Sequence, residues 1–125
     1  SSEVGSWDLM GHGGWAIETT DGQLAGQVAI THPPHFAERE IGWILFDGFE
    51  GKGLAFEACS AALHWAWSSL NADTLVSYIH RDNARSIALA TRLGAVLDST
   101  AKAHDPDDVV YRHTPDSDGS AEAYA

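Results

Sequence analysis

The chain has 125 residues, enough for one domain and too few for two. Hydrophobic residues make up 44% of it and aromatics 10%, with five Trp among them, which supplies a packed core and excludes global disorder. Eighteen Asp and Glu against seven Lys and Arg give a formal net charge of -11 and a pI of about 4.7, the wrong sign for neutralising a phosphate backbone, so nucleic-acid binding is disfavoured.

Residues 14–20 and 23–31 are two runs rich in Ile, Val, Ala and Trp, and between them Asp21-Gly22 is the strongest short hairpin signal, so the runs are predicted to pair antiparallel. His32-Pro33-Pro34-His35 cannot continue a ladder, because proline lacks the amide donor, and reads as a loop before a third strand over 37–46. The end of that strand, Ile41 to Phe46, is apolar on both faces, as a covered central strand should be. Leu54, Ala58, Ala61, Ala62 and Trp65 then recur at helical spacing up to about Ser68. Residues 74–80 read as a further strand, Asp82-Asn83 as the N-cap of a helix over 84–93, and Gly94 as its stop. Two short strands near 95–99 and 109–113 are separated by the turn Asp105-Pro106-Asp107-Asp108. The expected division is a domain over 1–113 and an acidic, disordered tail over 114–125.

The strand-helix-strand unit from Ile41 to His80 needs a right-handed crossover and a locally parallel pair, while the flanking hairpins are antiparallel. The expected fold is therefore α/β, one mixed, mostly antiparallel sheet with helices on both faces. Cys59 is the only cysteine and no Cys/His pair has zinc spacing, so neither a disulfide framework nor a metal site is expected. No signal-peptide profile opens the chain and no apolar run approaches the ~18 residues that span a bilayer, so the expected location is cytoplasmic and away from membranes.

The clearest chemical signal is the turn Glu50-Gly51-Lys52-Gly53-Leu54-Ala55 at the head of the first helix. Small residues at 51, 53 and 55 let an anion approach the main chain, where free amides and the positive end of the helix would bind it. Such a turn can equally be only a tight connection. Lys52 lacks the spacing and following hydroxyl of a nucleoside-triphosphate loop, and Phe56 and the absence of an acid after the next strand argue against a dinucleotide site.

The Gly51-x-Gly53-x-Ala55 turn, followed by Glu57-Ala58, and the run from Asn83 through Ser86 to Gly94-Ala95 together resemble the GNAT superfamily of N-acetyltransferases. The similarity is to its branch of ribosomal-protein N-terminal acetyltransferases and runs from about Trp15 to Tyr111. It implies a splayed parallel strand pair at the sheet centre, acetyl-coenzyme A as acyl donor, no metal, and a primary amine as acceptor, either a protein N-terminus or a small molecule. Departures are Gly48 where the family has Gln or Arg, Glu50 in place of an aromatic, and Ala95 in place of Phe or Tyr. The family's leading strand and two helices are expected to be missing.

By that resemblance, amides of Gly51, Lys52, Gly53, Leu54 and Ala55 hold the pyrophosphate of coenzyme A; on charge alone, Lys52, Arg81 and Arg85 offset the acidic surface near the site, with Arg85 or Arg81 reaching the nucleotide phosphates. The pantetheine arm pairs with the strand ending at Phe46, Asn83 bonds that arm, Ser86 donates to the departing sulfur, and Glu40 deprotonates the amine. Plainer readings stand beside these: Asn83 as helix cap, Ser86 satisfying a local amide, Glu40 as a solvated strand end. His80 is an alternative base, His32 and His35 could touch an acceptor, and Cys59 reads as core. Trp65 and Trp67 cannot both face one core side, which leaves one to support a homodimer interface. The competing function is a coenzyme-A-binding or regulatory module without catalysis.

Overall fold

The computed structural model describes residues 2–7 and 13–115. Of the expected tail only Thr114 and Pro115 fall within this range; 116–125 lie outside the described residues. The elements are β1 (Ser2–Trp7), β2 (Gly13–Thr19), β3 (Leu24–Thr31), β4 (Glu40–Leu45), α1 (Leu54–Ser69), β5 (Leu75–His80), α2 (Ala84–Arg92), β6 (Val96–Leu97) and β7 (Asp108–His113). They form one sheet in the order β1-β2-β3-β4-β5-β7-β6, antiparallel throughout except between β4 and β5.

Local chemistry explains most element ends. Gly22 takes a positive φ of 88° in the β2–β3 turn, where its amide donates to the Thr19 carbonyl. Gly94, at φ 95°, ends α2 as its amide and that of Ala95 bond back to Thr91 and Ala90. Asp105 closes the turn before β7 by accepting from the amides of Asp107 and Asp108.

Three expectations change. A strand precedes the hairpin after all: β1 pairs antiparallel with β2, from Ser2 opposite Thr19 to Trp7 opposite Trp15. Its sequence, Ser-Glu-Val-Gly-Ser-Trp, carries no strand pattern, so partner edge rather than propensity defines it. The third predicted strand begins at Glu40 rather than 37, because pairing with β3 stops at Thr31 opposite Glu40. Both helices pack on the same face, where the sequence alone distributes them over two.

That shared face follows from the core. Ile17, Val28, Ile30, Ile41 and Leu75 are buried from the sheet side of one cluster with Leu54, Ala58, Cys59, Ala62 and Ala66 of α1 and Leu93 after α2. Ile79, on the Leu75 side of β5, packs with Ala90 of α2. Burial of each large aliphatic side chain contributes about 1.5–3 kcal/mol. Small residues along α1 let the helix sit close to the sheet, whereas Ala61 is exposed, contrary to its predicted place on the buried stripe. Trp65 and Trp67 are both half-buried and both pack against this cluster, Trp65 edge-on to Trp15 at 5.3 Å. Cys59 is core, and burial pushes its thiol pKa upward.

Arg112 on β7 ties three separate segments together. Its guanidinium donates to both Glu38 oxygens at 2.7 and 2.8 Å, to Asp98 at 2.8 Å and to Thr74 at 2.9 Å. Hydrogen bonds from Thr100 and Arg112 hold the Asp98 carboxyl down to about 2. His113 is 2% exposed, and burial brings its imidazole down to about 4. Two stages of acid destabilisation are expected in denaturant melts. Between the ordinary histidine value of ~6.5 and about 4, the unfolded chain binds a proton that folded His113 refuses, so stability falls with pH. As pH drops from the ordinary carboxylate value of ~4 towards about 2, protonation of Asp98 removes its pairing with Arg112. His113→Gln, which keeps a donor for the neighbouring Ser77, should flatten the first stage alone; a first stage that persists in this variant would assign it elsewhere.

Candidate active site

The parallel strands β4 and β5 meet at a single register point, Glu40 opposite Val76, with the Val76 amide donating to the Arg39 carbonyl at 3.1 Å. One residue further, a side chain stands in for the next ladder bond: the Ser77 hydroxyl donates to the Ile41 carbonyl at 2.8 Å. Ser77 has one proton and commits it there, so its contact with His113 Nε2 at 2.9 Å is a bond it accepts from the protonated ring nitrogen. His113 Nδ1 then has no partner among the described residues.

Beyond Ile41 the strands diverge. The Phe46 amide donates to the Ala25 carbonyl of β3 at 2.8 Å, and antiparallel alternation turns the main chain of Ile44 the same way. Trp43 and Leu45 therefore direct their N–H and C=O groups into the opening, and no strand pairs with them there among the described residues. Phe46, expected to meet the pantetheine, has its main chain spent elsewhere, since its carbonyl also accepts from Phe49.

The opening joins two clefts. One, about 350 Å³, is lined by Gln27, Thr31, Glu40 and Tyr78 together with Trp43, Ser77, Asn83 and Ser86. The other, about 500 Å³, lies between the leading ends of the two helices and is lined by Leu45, Glu50, Ala55, Arg85 and Leu89. Trp43, Ile44, Asn83 and Ser86 line both, so the two clefts adjoin at the opening.

At the head of α1, Gly48, Gly51 and Gly53 have φ of 94°, 79° and 77°. A Cβ on any of them meets nothing within 4 Å, so backbone conformation rather than crowding requires glycine. No side chain caps α1, and the amides of Gly51, Gly53, Leu54 and Ala55 donate to no protein acceptor among the described residues, while the hydrogen-bonded turn over 50–51 directs the Lys52 amide back towards the Phe49 carbonyl. Four unused donors at the positive end of a sixteen-residue helix fit a diphosphate. Lys52 lies over the Phe49 ring at 5.7 Å, and the Leu54 side chain is core, so its contribution is the amide alone.

The remaining predicted residues divide by geometry. Asn83 does cap α2, its side-chain oxygen accepting from the Ser86 amide at 3.1 Å, while also lining both clefts. The Ser86 hydroxyl accepts from the Trp43 indole at 3.2 Å. Arg85 faces Glu50 across the helix ends at 3.6 Å, whereas Arg81 is held by Asp107 and the Pro106 carbonyl, away from the passage. Burial raises the Glu40 pKa; the Tyr78 amide opposes that rise and Asp108 adds to it. His80 lines the first cleft, and its Nδ1 accepts from the Asp82 amide at 3.0 Å, which puts the neutral ring's proton on Nε2. His32 bonds the Phe36 carbonyl, and neither it nor His35 lines either cleft.

Sequence reading missed Trp43, Leu45, Ser77 and His113. Ser77 offered one signal: a hydroxyl inside Leu75-Val76-Ser77-Tyr78-Ile79 must find an acceptor once buried.

An acetyltransferase (GNAT) domain model matches residues 3–96. The chain belongs to this family. Among solved structures, the GNAT chain is 45% identical to an acetyltransferase from Agrobacterium tumefaciens str. C58, with a TM-score of 0.78, covering 84% of this chain and 62% of that one. It also resembles the ribosomal-protein-S5-alanine acetyltransferase from Vibrio fischeri, at 17% identity and TM-score 0.71 over 86% of this chain and 63% of that one. An acetyltransferase (GNAT family) from Bacillus anthracis matches at 18% identity and TM-score 0.65, over 81% and 65%. The last two likenesses bear on the fold alone. This chain thus spans less than two thirds of the length of each of these proteins. Among the described residues no group of three or more His, Cys, Asp or Glu could hold a metal ion, and no helix is long and apolar enough to cross a membrane.

Proposed function

We propose that this chain carries the coenzyme-binding and catalytic part of an N-acetyltransferase that moves an acetyl group from acetyl-coenzyme A to a primary amine. The observation that carries the reading is the passage through the splayed β4–β5 pair, with unused amides at one end and a partly desolvated carboxylate at the other. Acetyl-coenzyme A supplies an activated thioester. The amides of Gly51, Gly53, Leu54 and Ala55, with Arg85, bind its diphosphate, and the main-chain groups of Trp43 and Leu45 align its arm as an added strand would be aligned. Glu40 accepts the proton that the amine must lose, and Ser86 offers its O–H to the sulfur as negative charge develops there. No covalent bond to the protein is needed. A single buried cysteine suits a reducing, cytoplasmic setting, and the acidic surface favours a cationic acceptor.

The test is a thiol-release assay with acetyl-coenzyme A against a panel of small amines and peptide N-termini. Release above the water background with at least one primary amine is expected; none with any acceptor would remove the enzymatic reading. One observation favours the alternative of a binding module: Glu50 places a carboxylate on the wall of the phosphate end. Saturable binding without thiol release would decide for it.

Glu50 also yields a graded prediction. Its carboxyl is held below the ordinary range by its own loop amides, that of Gly48 at 3.1 Å among them, so it is ionised where the diphosphate is to bind. It competes for Arg85 as well. Glu50→Gln should therefore tighten acetyl-coenzyme A by about two- to five-fold in a calorimetric titration, the scale of an exposed ion pair. Weaker binding would mean that Glu50 instead supports the turn.

A further inference from the structure

We propose that Trp43 is a positioning residue for acyl transfer, its indole N–H fixing the Ser86 oxygen so that the Ser86 proton is aimed at the thioester sulfur. The inference rests on the proposed function and adds a residue to it.

Hydrogen-bond arithmetic at Ser86 carries the argument. A serine hydroxyl has one proton to give and room to accept. The indole Nε1–H is a donor only, so a Trp43–Ser86 contact at 3.2 Å obliges Ser86 to accept and forbids its proton from pointing at Trp43. Helix capping makes no claim on the hydroxyl either, because Asn83 already satisfies the Ser86 amide. Other helical hydroxyls show the usual sink for such a proton: Ser68 donates to the His64 carbonyl and Thr91 to the Ile87 carbonyl, each four residues back. Ser86 stands at the third position of α2, where four residues back is Asp82, outside the helix, and its hydroxyl makes no such bond among the described residues. Its proton is left facing the passage that Ser86 lines.

Trp43 is itself held. Its ring stands edge-on to His113, 86° between planes and 6.4 Å between centroids. His113 is bonded in turn to Ser77, whose hydroxyl donates to the Ile41 carbonyl of β4 where the strands begin to diverge. One chain of contacts therefore runs from the start of the opening to the donor inside it.

The test pairs spectroscopy with kinetics. In the ¹⁵N-labelled protein the Trp43 indole resonance, assigned by its loss in Trp43→Phe, should move when Ser86→Ala is introduced. It should also move on adding coenzyme A but not desulfo-coenzyme A, because only a sulfur can draw on the Ser86 proton and strengthen the bond behind it. Trp43→Phe keeps an aromatic ring, though a smaller one, and removes the N–H, so kcat should fall about ten-fold while KM for acetyl-coenzyme A stays within about two-fold, a difference of transition-state stabilisation alone. Added to Ser86→Ala, the same change should cost nothing further. Equal indole shifts with both ligands, or independent losses in the double variant, would overturn the role of Trp43 while leaving cofactor binding intact. Binding of neither ligand would remove the cofactor reading and this inference together.

Discussion

Gly53→Glu should abolish the rise in melting temperature that acetyl-coenzyme A gives the parent chain. A ligand at a hundred times its Kd stabilises the folded state by about 2.7 kcal/mol, roughly 10 °C for a domain of this size. The substitution acts on that term in two ways. Gly53 holds φ at 77°, where a residue with a Cβ is strained by about 1–2 kcal/mol, so the turn relaxes and its amides lose their common direction. The new carboxylate also adds negative charge beside the site for a diphosphate, in a chain already at -11. Steric blockage is not involved at the first atom, since a Cβ there meets nothing within 4 Å. Gly53→Ala separates the two effects: it should retain part of the ligand-induced rise, although its melting temperature without ligand falls as well. Equal rises in Gly53→Glu and the parent would show that the diphosphate binds elsewhere.

Replacing Glu40 by Gln should slow turnover by about 10²–10³, the usual contribution of a positioned general base, with acetyl-coenzyme A binding unchanged. The two ends of the passage separate these functions: Glu40 lines the cleft on the β3 side, and the phosphate end lies between the helices. The pH dependence provides the sharper signature. Burial raises the Glu40 pKa, so the basic, charged form is lost on acidification at a pH above the ordinary glutamate value of ~4.3. The acid limb of kcat/KM should lie correspondingly high in the parent and vanish in Glu40→Gln. Unchanged rates across the pH range would take Glu40 out of the mechanism and leave solvent as the proton acceptor.

What the sequence made legible was local. Asp21-Gly22 as a hairpin, Asn83 as a cap, Gly94 as a stop and the glycines at 51 and 53 each act within a few residues of chain, and each stands where expected. The opening between β4 and β5 followed from the family resemblance, and the register now locates it beyond Glu40. What stayed hidden depends on register or on distant partners. Whether Phe46 or Leu45 faces the opening is a question of strand alternation, decided by one amide bonding to Ala25. Ser77 and His113 are 36 residues apart, and Arg112 and Glu38 are 74 apart, so no window along the chain shows either pair. The shared face of the two helices is likewise a property of the core and has no motif of its own.

The Ser77 bond to Ile41 bears on how a ligand would enter the opening. A gap between two parallel strands would ordinarily zip shut, and an incoming molecule would have to break main-chain bonds to reopen it. Here the Ile41 carbonyl is already satisfied by a hydroxyl that belongs to the neighbouring strand, and beyond it the Trp43 and Leu45 main-chain groups face the opening with no strand paired to them among the described residues. Association should then proceed in one diffusional step, its rate linear in ligand concentration without a plateau, because no prior opening event precedes it.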